Sequence, residues 1–109
     1  MPHIRVRGMS PNQVKALSVN LAGELGNIIK TPPENFTIEY VPSQFFVDGQ
    51  SDDGHPIIET FWFERPAEIR QQAADHLTKR VKLLLPQADV AVIFQALEKI
   101  GYYENGRHF

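Results

Sequence analysis

Within 109 residues the chain runs through one plan twice, and that repeat limits the fold more than any other feature. Ile4 and Val6 alternate with His3, Arg5 and Arg7, the period of a half-buried strand. Gly8 ends the strand. Ser10 then fits a helix N-cap, with Pro11 at the first helical position and Gln13 placed to complete a capping box. Val14, Leu17, Leu21, Leu25 and Ile28 recur at steps of three and four and predict one helix face, which Pro32 and Pro33 bring to an end. Phe36 to Val41 reads as a second strand, carried on weakly through Phe45, Phe46 and Val47.

After the polar break Asp48-Gly49-Gln50-Ser51-Asp52-Asp53-Gly54 the order returns. Ile57 to Phe63 is strand-like, and Pro66 opens a helix lined by Ile69, Ala73, Leu77, Val81 and Leu84. Pro86 closes that helix, and Val90 to Phe94 is another strand. Phe45-Phe46 before Asp48-Gly49 is echoed by Tyr102-Tyr103 before Asn105-Gly106. The chain is therefore read as one domain, residues 1–109, built of pseudo-repeats 2–47 and 56–104. Its length supports one core and not two. The expected fold is α+β: tandem β-α-β units forming a four-stranded mixed sheet, with two helices on one face. On the strand from Ile57, Phe61 and Phe63 are expected on one face and Ile58 and Trp62 on the other. The helices cover one of these faces, so a second copy of the chain is expected to cover the other. The element order also fits a ferredoxin-like fold.

Composition removes several classes of function. Eleven basic against 13 acidic residues, intermixed, give a net charge of −2, which argues against a nucleic-acid or anionic-membrane surface. The absence of cysteine excludes disulfides, thiolate metal sites and a cysteine nucleophile. The first residues lack a signal-peptide core, and no stretch approaches the roughly 20 apolar residues of a membrane span, so a cytoplasmic protein is expected. His3, His55, His76 and His108 show no metal-ligand spacing, and Asp52-Asp53-Gly54-His55 lacks the pattern of a calcium loop. No metal and no cofactor are expected.

Three features together resemble the tautomerase superfamily, the group of 4-oxalocrotonate tautomerase and macrophage migration inhibitory factor. They are Pro2 directly after Met1, the turn Gly8-Met9-Ser10-Pro11-Asn12-Gln13, and Pro32-Pro33 followed by Pro42 and Gln44. With the repeated plan, the likeness covers nearly the whole chain and points to one of the family's small bacterial branches. It implies a homotrimer with helices outside the packed sheets, and a pocket at each amino terminus partly walled by a neighbour. It also implies a catalytic role for Pro2. Once Met1 is removed, Pro2 carries a secondary amine; burial or nearby cations hold such an amine below the usual ~7.7–8.0 and leave it neutral for base catalysis. Keto–enol or double-bond isomerisation of a small α-keto or enol carboxylate follows, with Arg5, Arg7 and Lys30 as candidate anchors for the carboxylate.

The chain departs from the family at its other working positions. The arginine after the turn glycine falls on Met9, the lysine before the two prolines falls on Thr31 with Lys30 one residue early, and the tyrosine and asparagine of the last strand fall on Ala91 and Ile93. Each remaining candidate also has a purely architectural explanation. A cross-strand ion-pair ladder with Glu39 and Glu59 accounts for Arg5 and Arg7, the negative end of a helix accounts for Lys30, and a strand-start proline accounts for Pro2. Tyr102, Tyr103 and Phe109 either cap a neighbour's pocket or form a packed or frayed tail. The alternative to an enzyme is a non-catalytic oligomer that keeps the scaffold as a binding or interaction module; a ferredoxin-like small-ligand regulator is the third reading.

Overall fold

In the computed structural model, which describes residues 1–109, strand β1 (His3–Arg7) leads to helices α1 (Pro11–Leu17) and α2 (Leu21–Ile29), then to β2 (Thr37–Tyr40). A hairpin of β3 (Phe45–Val47) and β4 (Gln50–Asp52) separates this unit from the second. The second unit comprises β5 (Ile57–Trp62), α3 (Ala67–Leu84) and β6 (Ala91–Ala96), and ends in a hairpin of β7 (Tyr103–Glu104) and β8 (Arg107–His108). The main sheet has the order β2-β1-β5-β6. Within each unit the two strands pair in parallel, and the units join through antiparallel β1 and β5. A ferredoxin-like fold splits each β-α-β unit with an intervening strand. Here β1 bonds directly to β2 and β5 directly to β6, so the ferredoxin-like alternative is excluded.

The strand periodicity explains the two faces of the sheet. Ile4, Val6, Ile58 and Trp62 are buried with Leu17, Leu21, Leu25, Leu77 and Val81 in one core under the helices. Burying each such side chain contributes roughly 1.5–3 kcal/mol. Thr60, on the same face, is the one buried side chain whose hydroxyl finds no partner. The opposite face carries His3, Arg5, Arg7, Ile57, Glu59 and Phe61, all half-buried, beside exposed Ile93. No helix of the chain is long and apolar enough to cross a membrane.

The helix expected from Val14 to Ile28 is divided, so three helices cover the sheet. Ser10 forms the full capping box with Gln13 and starts α1. The chain then leaves the helix after Leu17 and turns through Asn20 at φ 60°, a left-handed conformation that asparagine tolerates. Leu17 and Leu21 stay in step across the break, which hides it from the periodicity. The cause lies in α3. Arg80 donates to the carbonyls of Leu17 and Val19, both at 2.9 Å, and to the Glu24 carboxylate at 2.5 Å, so it satisfies carbonyls that the ending helix leaves without partners. Restarting the helix also turns its face, so Ile29 is buried and Ile28 only partly so.

The repeated aromatic and turn residues do form matching hairpins. Asp48-Gly49 and Asn105-Gly106 have positive φ at both positions (49° and 77°, 54° and 81°), the geometry of tight type I′ turns. Phe63 differs from expectation. It lies just beyond β5, is buried, and packs on Tyr102 and Phe109 instead of continuing the Phe61 side of the strand.

Candidate functional site

Because β1 and β5 run antiparallel, the start of one strand meets the end of the other. The β5–α3 turn therefore stands at the amino terminus, and two residues of that turn shape the site. Pro2 is fully buried, and its carbonyl accepts from the Thr37 amide at 3.1 Å, which fixes the start of β1 against β2. Its nitrogen is joined to the carbonyl of Met1.

Arg65 supplies the cation at this end. Its Nη1 donates to the Phe63 carbonyl at 2.5 Å, Nη2 to Thr31 Oγ1 at 3.2 Å and Nε to the Ile29 carbonyl at 3.4 Å. None of these acceptors is a carboxylate, so no anion among them offsets the guanidinium charge in this partly buried frame. Burial first, then Arg65, lowers the pKa of the Met1 amine, and Glu104 opposes them. Both lowering effects disfavour the protonated amine.

On the open face of the sheet, His3 bridges two hydroxyls. Its Nδ1 lies 2.6 Å from Thr37 Oγ1, and its Nε2 lies 2.6 Å from the Tyr102 hydroxyl. The His3 and Tyr102 rings stack at 5.8 Å. Tyr102 in turn meets Phe63 edge-on at 5.5 Å and Phe109 at 5.3 Å. The Phe109 amide is tied to the carbonyls of Lys99 and Tyr102, at 3.2 and 3.1 Å. The carboxyl-terminal segment is thus a packed tail on its own chain's amino-terminal end. Burial, then the charge of the Glu104 carboxylate and its acceptance of the phenol hydrogen, push the Tyr102 phenol up.

The anchors named from the sequence lie elsewhere. Arg5 Nε donates to Glu39 at 3.2 Å and Arg7 Nε to Glu59 at 3.3 Å, a cross-strand pattern on the open face. Lys30 is exposed and closes α2 in a left-handed conformation at φ 61°. Thr31, the next residue, is buried against Arg65. Met9 is a core residue. Sequence reasoning missed Arg65 and Thr37; it weighed His3 only as a metal ligand, and named Tyr102 as a cap on a neighbour's pocket or part of a packed tail. A signal for Arg65 existed: it immediately precedes Pro66 as Ser10 precedes Pro11, and central antiparallel pairing of the first strands of both units brings that turn to Pro2.

A concavity of about 410 Å³ opens at the other end of β1, between the β1–α1 turn and the β3–β4 hairpin. It is lined by Gly8, Met9, Ser10, Tyr40, Phe45 and Asp52, among others. Its polar groups are largely committed to local structure: Ser10 and Gln13 to the capping box, Ser43 to the Val41 carbonyl, Asp52 to the Gly54 amide. No arginine or lysine lines it.

The family described as Domain of unknown function (DUF1904) matches residues 1–108. A crystal structure of a DUF1904 domain from Sebaldella termitidis ATCC 33386 is 44% identical, with a TM-score of 0.96 over 100% of both chains. A protein of unknown function from Vibrio cholerae O1 biovar eltor str. N16961 is 32% identical, with a TM-score of 0.89 over 99% of this chain and 87% of that one. A wild-type fused 4-OT, solved as an asymmetric trimer, is 15% identical with a TM-score of 0.80 over 97% and 94% of the chains, a likeness of fold. None of the curated proteins matches the chain.

Proposed function

The chain belongs to the DUF1904 family and has the fold of the tautomerase superfamily, and from that premise we propose a tautomerase-like enzyme with Pro2 as its general base. The observation that carries this reading is a fully buried Pro2 beside a partly buried Met1 amine that feels the charge of Arg65, an arginine with no carboxylate partner. When Met1 is removed, the Pro2 secondary amine stands where burial and a cation both favour its neutral form. It takes a proton from the carbon beside a carbonyl and returns it at a second atom of the same substrate, so that keto and enol forms, or double-bond isomers, interconvert with no net loss of atoms. Arg65 replaces Lys30 as the proposed anchor for the substrate carboxylate. Arg5 and Arg7 serve the sheet, since each is already held by a glutamate.

The open face of the sheet supports a homotrimer. Ile57, Phe61 and Ile93 surround the ion pairs there without an element of the same chain to cover them, and the fused 4-OT of the same fold is a trimer.

Mass spectrometry of the untagged protein from cells tests the first requirement; retention of Met1 ends the Pro2 mechanism. For the processed protein, ketonisation of phenylpyruvate enol and isomerisation of 2-hydroxymuconate are to be compared with Pro2→Ala. Equal rates in both proteins exclude Pro2 as the base. A second reading, a non-catalytic scaffold, draws on the conversion of Met9 to a core residue and on the committed Arg5 and Arg7. Trimerisation without turnover of either probe would favour it.

A further inference from the structure

We propose that residues 98–109 form a lid over the amino-terminal end of the sheet, hinged after Leu97 and latched by Tyr102 and Phe109, and that a ligand reaches this end only when the lid opens. The opening is a property of the fold and stands without the Pro2 reading; its consequence for turnover rests on that reading. Pro2 is fully buried. The chain has two concavities, one beside the β1–α1 turn and one beside Ile28 and His76, and neither is lined by Met1, Pro2 or Arg65. A ligand at this end therefore needs a cover to move.

The backbone shows where the lid begins. The Leu97 amide donates to the Trp62 carbonyl at 2.7 Å, the last backbone bond between this end of the chain and the sheet. Beyond it every backbone bond stays inside the segment: Gly101 to Glu98, Tyr102 to Lys99, Phe109 to Lys99 and Tyr102, and the β7–β8 pairs. The hairpin is a separate sheet, so the segment can swing as a unit without breaking a backbone bond. Side chains alone hold it. The Tyr102 ring stacks on His3 and meets Phe63 edge-on, Phe109 packs on Phe63 at 5.2 Å, and Lys99 Nζ lies 5.8 Å from the centre of the same ring. One hydrogen bond joins the lid to the body. The Tyr102 hydrogen goes to Glu104, within the lid, so its oxygen accepts from His3 Nε2–H at 2.6 Å. His3 follows Pro2, and the charge of Glu104 reaches the Met1 amine, so the closed lid lies over the first residues of the chain. Its packing partners are His3 and Phe63, so loss of Met1 leaves it latched. A segment tied by side chains alone belongs to the low-stability end of local opening. Its opening bares the buried Phe63 ring in the same turn as Arg65.

Hydrogen exchange of the full chain tests the lid. The amides of Gly101, Tyr102 and Phe109 are expected to share one opening constant and to exchange about 100-fold or more faster than that of Leu97. Exchange that rises gradually toward Phe109 would make the segment a frayed end, and protection equal to that of Leu97 would make it a fixed part of the sheet; either result overturns the proposal. Tyr102→Ala and the milder Phe109→Ala each remove a latch ring. Each should raise the shared opening about 10-fold, while the amides of β1 and β5 keep their native protection. Native opening in both variants also overturns it. Access is read in the Met1-free chain by acylation of the amino-terminal amine with acetic anhydride, which needs no turnover. Because reaction through an open state follows its population, Phe109→Ala should raise that rate about 10-fold as well. A native acylation rate beside faster exchange would show that the segment opens without covering the terminus, and the lid fails. The two readings fail separately. If Pro2→Ala abolishes isomerisation of phenylpyruvate enol while exchange and acylation stay native in both latch variants, the lid fails and the base stands. If Pro2→Ala is fully active while the latch variants open, the base fails and the lid stands.

Discussion

The two β-α-β units place a proline at the same point twice, and only one of these points faces a turn with an arginine that has no carboxylate partner. Pro2 precedes β1 as Pro56 precedes β5, and both are fully buried. Each gives its carbonyl to the first residue of the neighbouring parallel strand, Thr37 for Pro2 and Ala91 for Pro56, at 3.1 Å in both cases. The turn facing each proline comes from the other unit. At Pro2 that turn carries Arg65; at Pro56 it carries Ser10, whose side chain caps α1, and Gly8, where any side chain would overlap the His55 carbonyl. The nitrogen of Pro56 lies inside the chain and can never become an amine. The scaffold was thus duplicated without duplicating a site. What separates the two ends is carried by turn residues and by the chain terminus, not by the strands.

Substituting the two prolines tests that distinction with the largest expected effect. Pro2→Ala in the Met1-free chain should lower kcat/KM for phenylpyruvate enol by 100-fold or more, the range of a general base. Pro56→Ala should leave kcat/KM within about 3-fold while lowering the melting temperature, since it changes only packing and unfolded-chain entropy. A comparable loss in both would mean that Pro2 is structural too.

Arg65 gives a smaller effect but a more specific one. Arg65→Gln removes the cation and should raise KM about 10-fold or more, with a lesser fall in kcat. It should also displace the pH profile. Activity requires the neutral amine and falls as pH drops through the amine's pKa; removing a positive neighbour makes protonation easier, so the acidic limb of kcat/KM moves to higher pH. Because burial is the larger cause of the lowering at the Met1 amine, the displacement at Pro2 should be partial. A limb that stays in place would separate Arg65 from the amine electrostatically and leave the two ends of the sheet alike.

The same comparison shows what could be read from the sequence. Strand alternation, the capping box at Ser10, the matched hairpins and the pairing of Arg5 and Arg7 with Glu39 and Glu59 are all legible, because each depends on residues close in sequence or on neighbouring strands of a regular sheet. The break at Asn20 was not legible, because its stabilising group comes from α3 and because Leu17 and Leu21 keep helical spacing across it. Tyr102 and Phe109 were visible as aromatic residues near a chain end, but their placement on Phe63 and His3 requires the antiparallel join of the two units. Arg65 needed the same join: its place before Pro66 matches that of Ser10 before Pro11, but only the antiparallel pairing brings that turn to Pro2.

The helices carry the second contrast between the units. The second unit spans its sheet with one continuous helix of 18 residues, and the first uses two of 7 and 9. If Arg80 holds the break as the geometry indicates, Arg80→Ala should cost about 2 kcal/mol in chemical denaturation, since charged hydrogen bonds to two carbonyls are lost. Ser10→Ala, which removes the cap of the same helix, should cost about 1 kcal/mol. An Arg80→Ala loss no larger than the Ser10→Ala loss would show that the divided helix is stable by its own local sequence.

Acid provides the smallest and most diagnostic measurement of that break. Glu24, in the first turn of α2, is held below the ordinary carboxylate range chiefly by its hydrogen bond to His76; partial burial opposes this, and Arg80 reinforces it. A carboxyl whose folded pKa is depressed contributes stability above its unfolded pKa and loses it as pH falls through the folded value. The contribution is therefore complete at neutral pH and declines below about 4.5, the ordinary value for such a group. Glu24→Gln should lower the melting temperature by a few degrees at pH 7 and by progressively less as pH falls through the depressed folded value and the native carboxyl takes up its proton. Since Glu24 is more than one-third exposed, solvent screening keeps the effect small, and added salt should reduce it further. A difference between the two proteins that is constant from pH 7 to pH 3 would assign the break to chain geometry at Asn20. A difference that vanishes in acid would assign it to the ionised Glu24 held by His76 and Arg80 of the second unit.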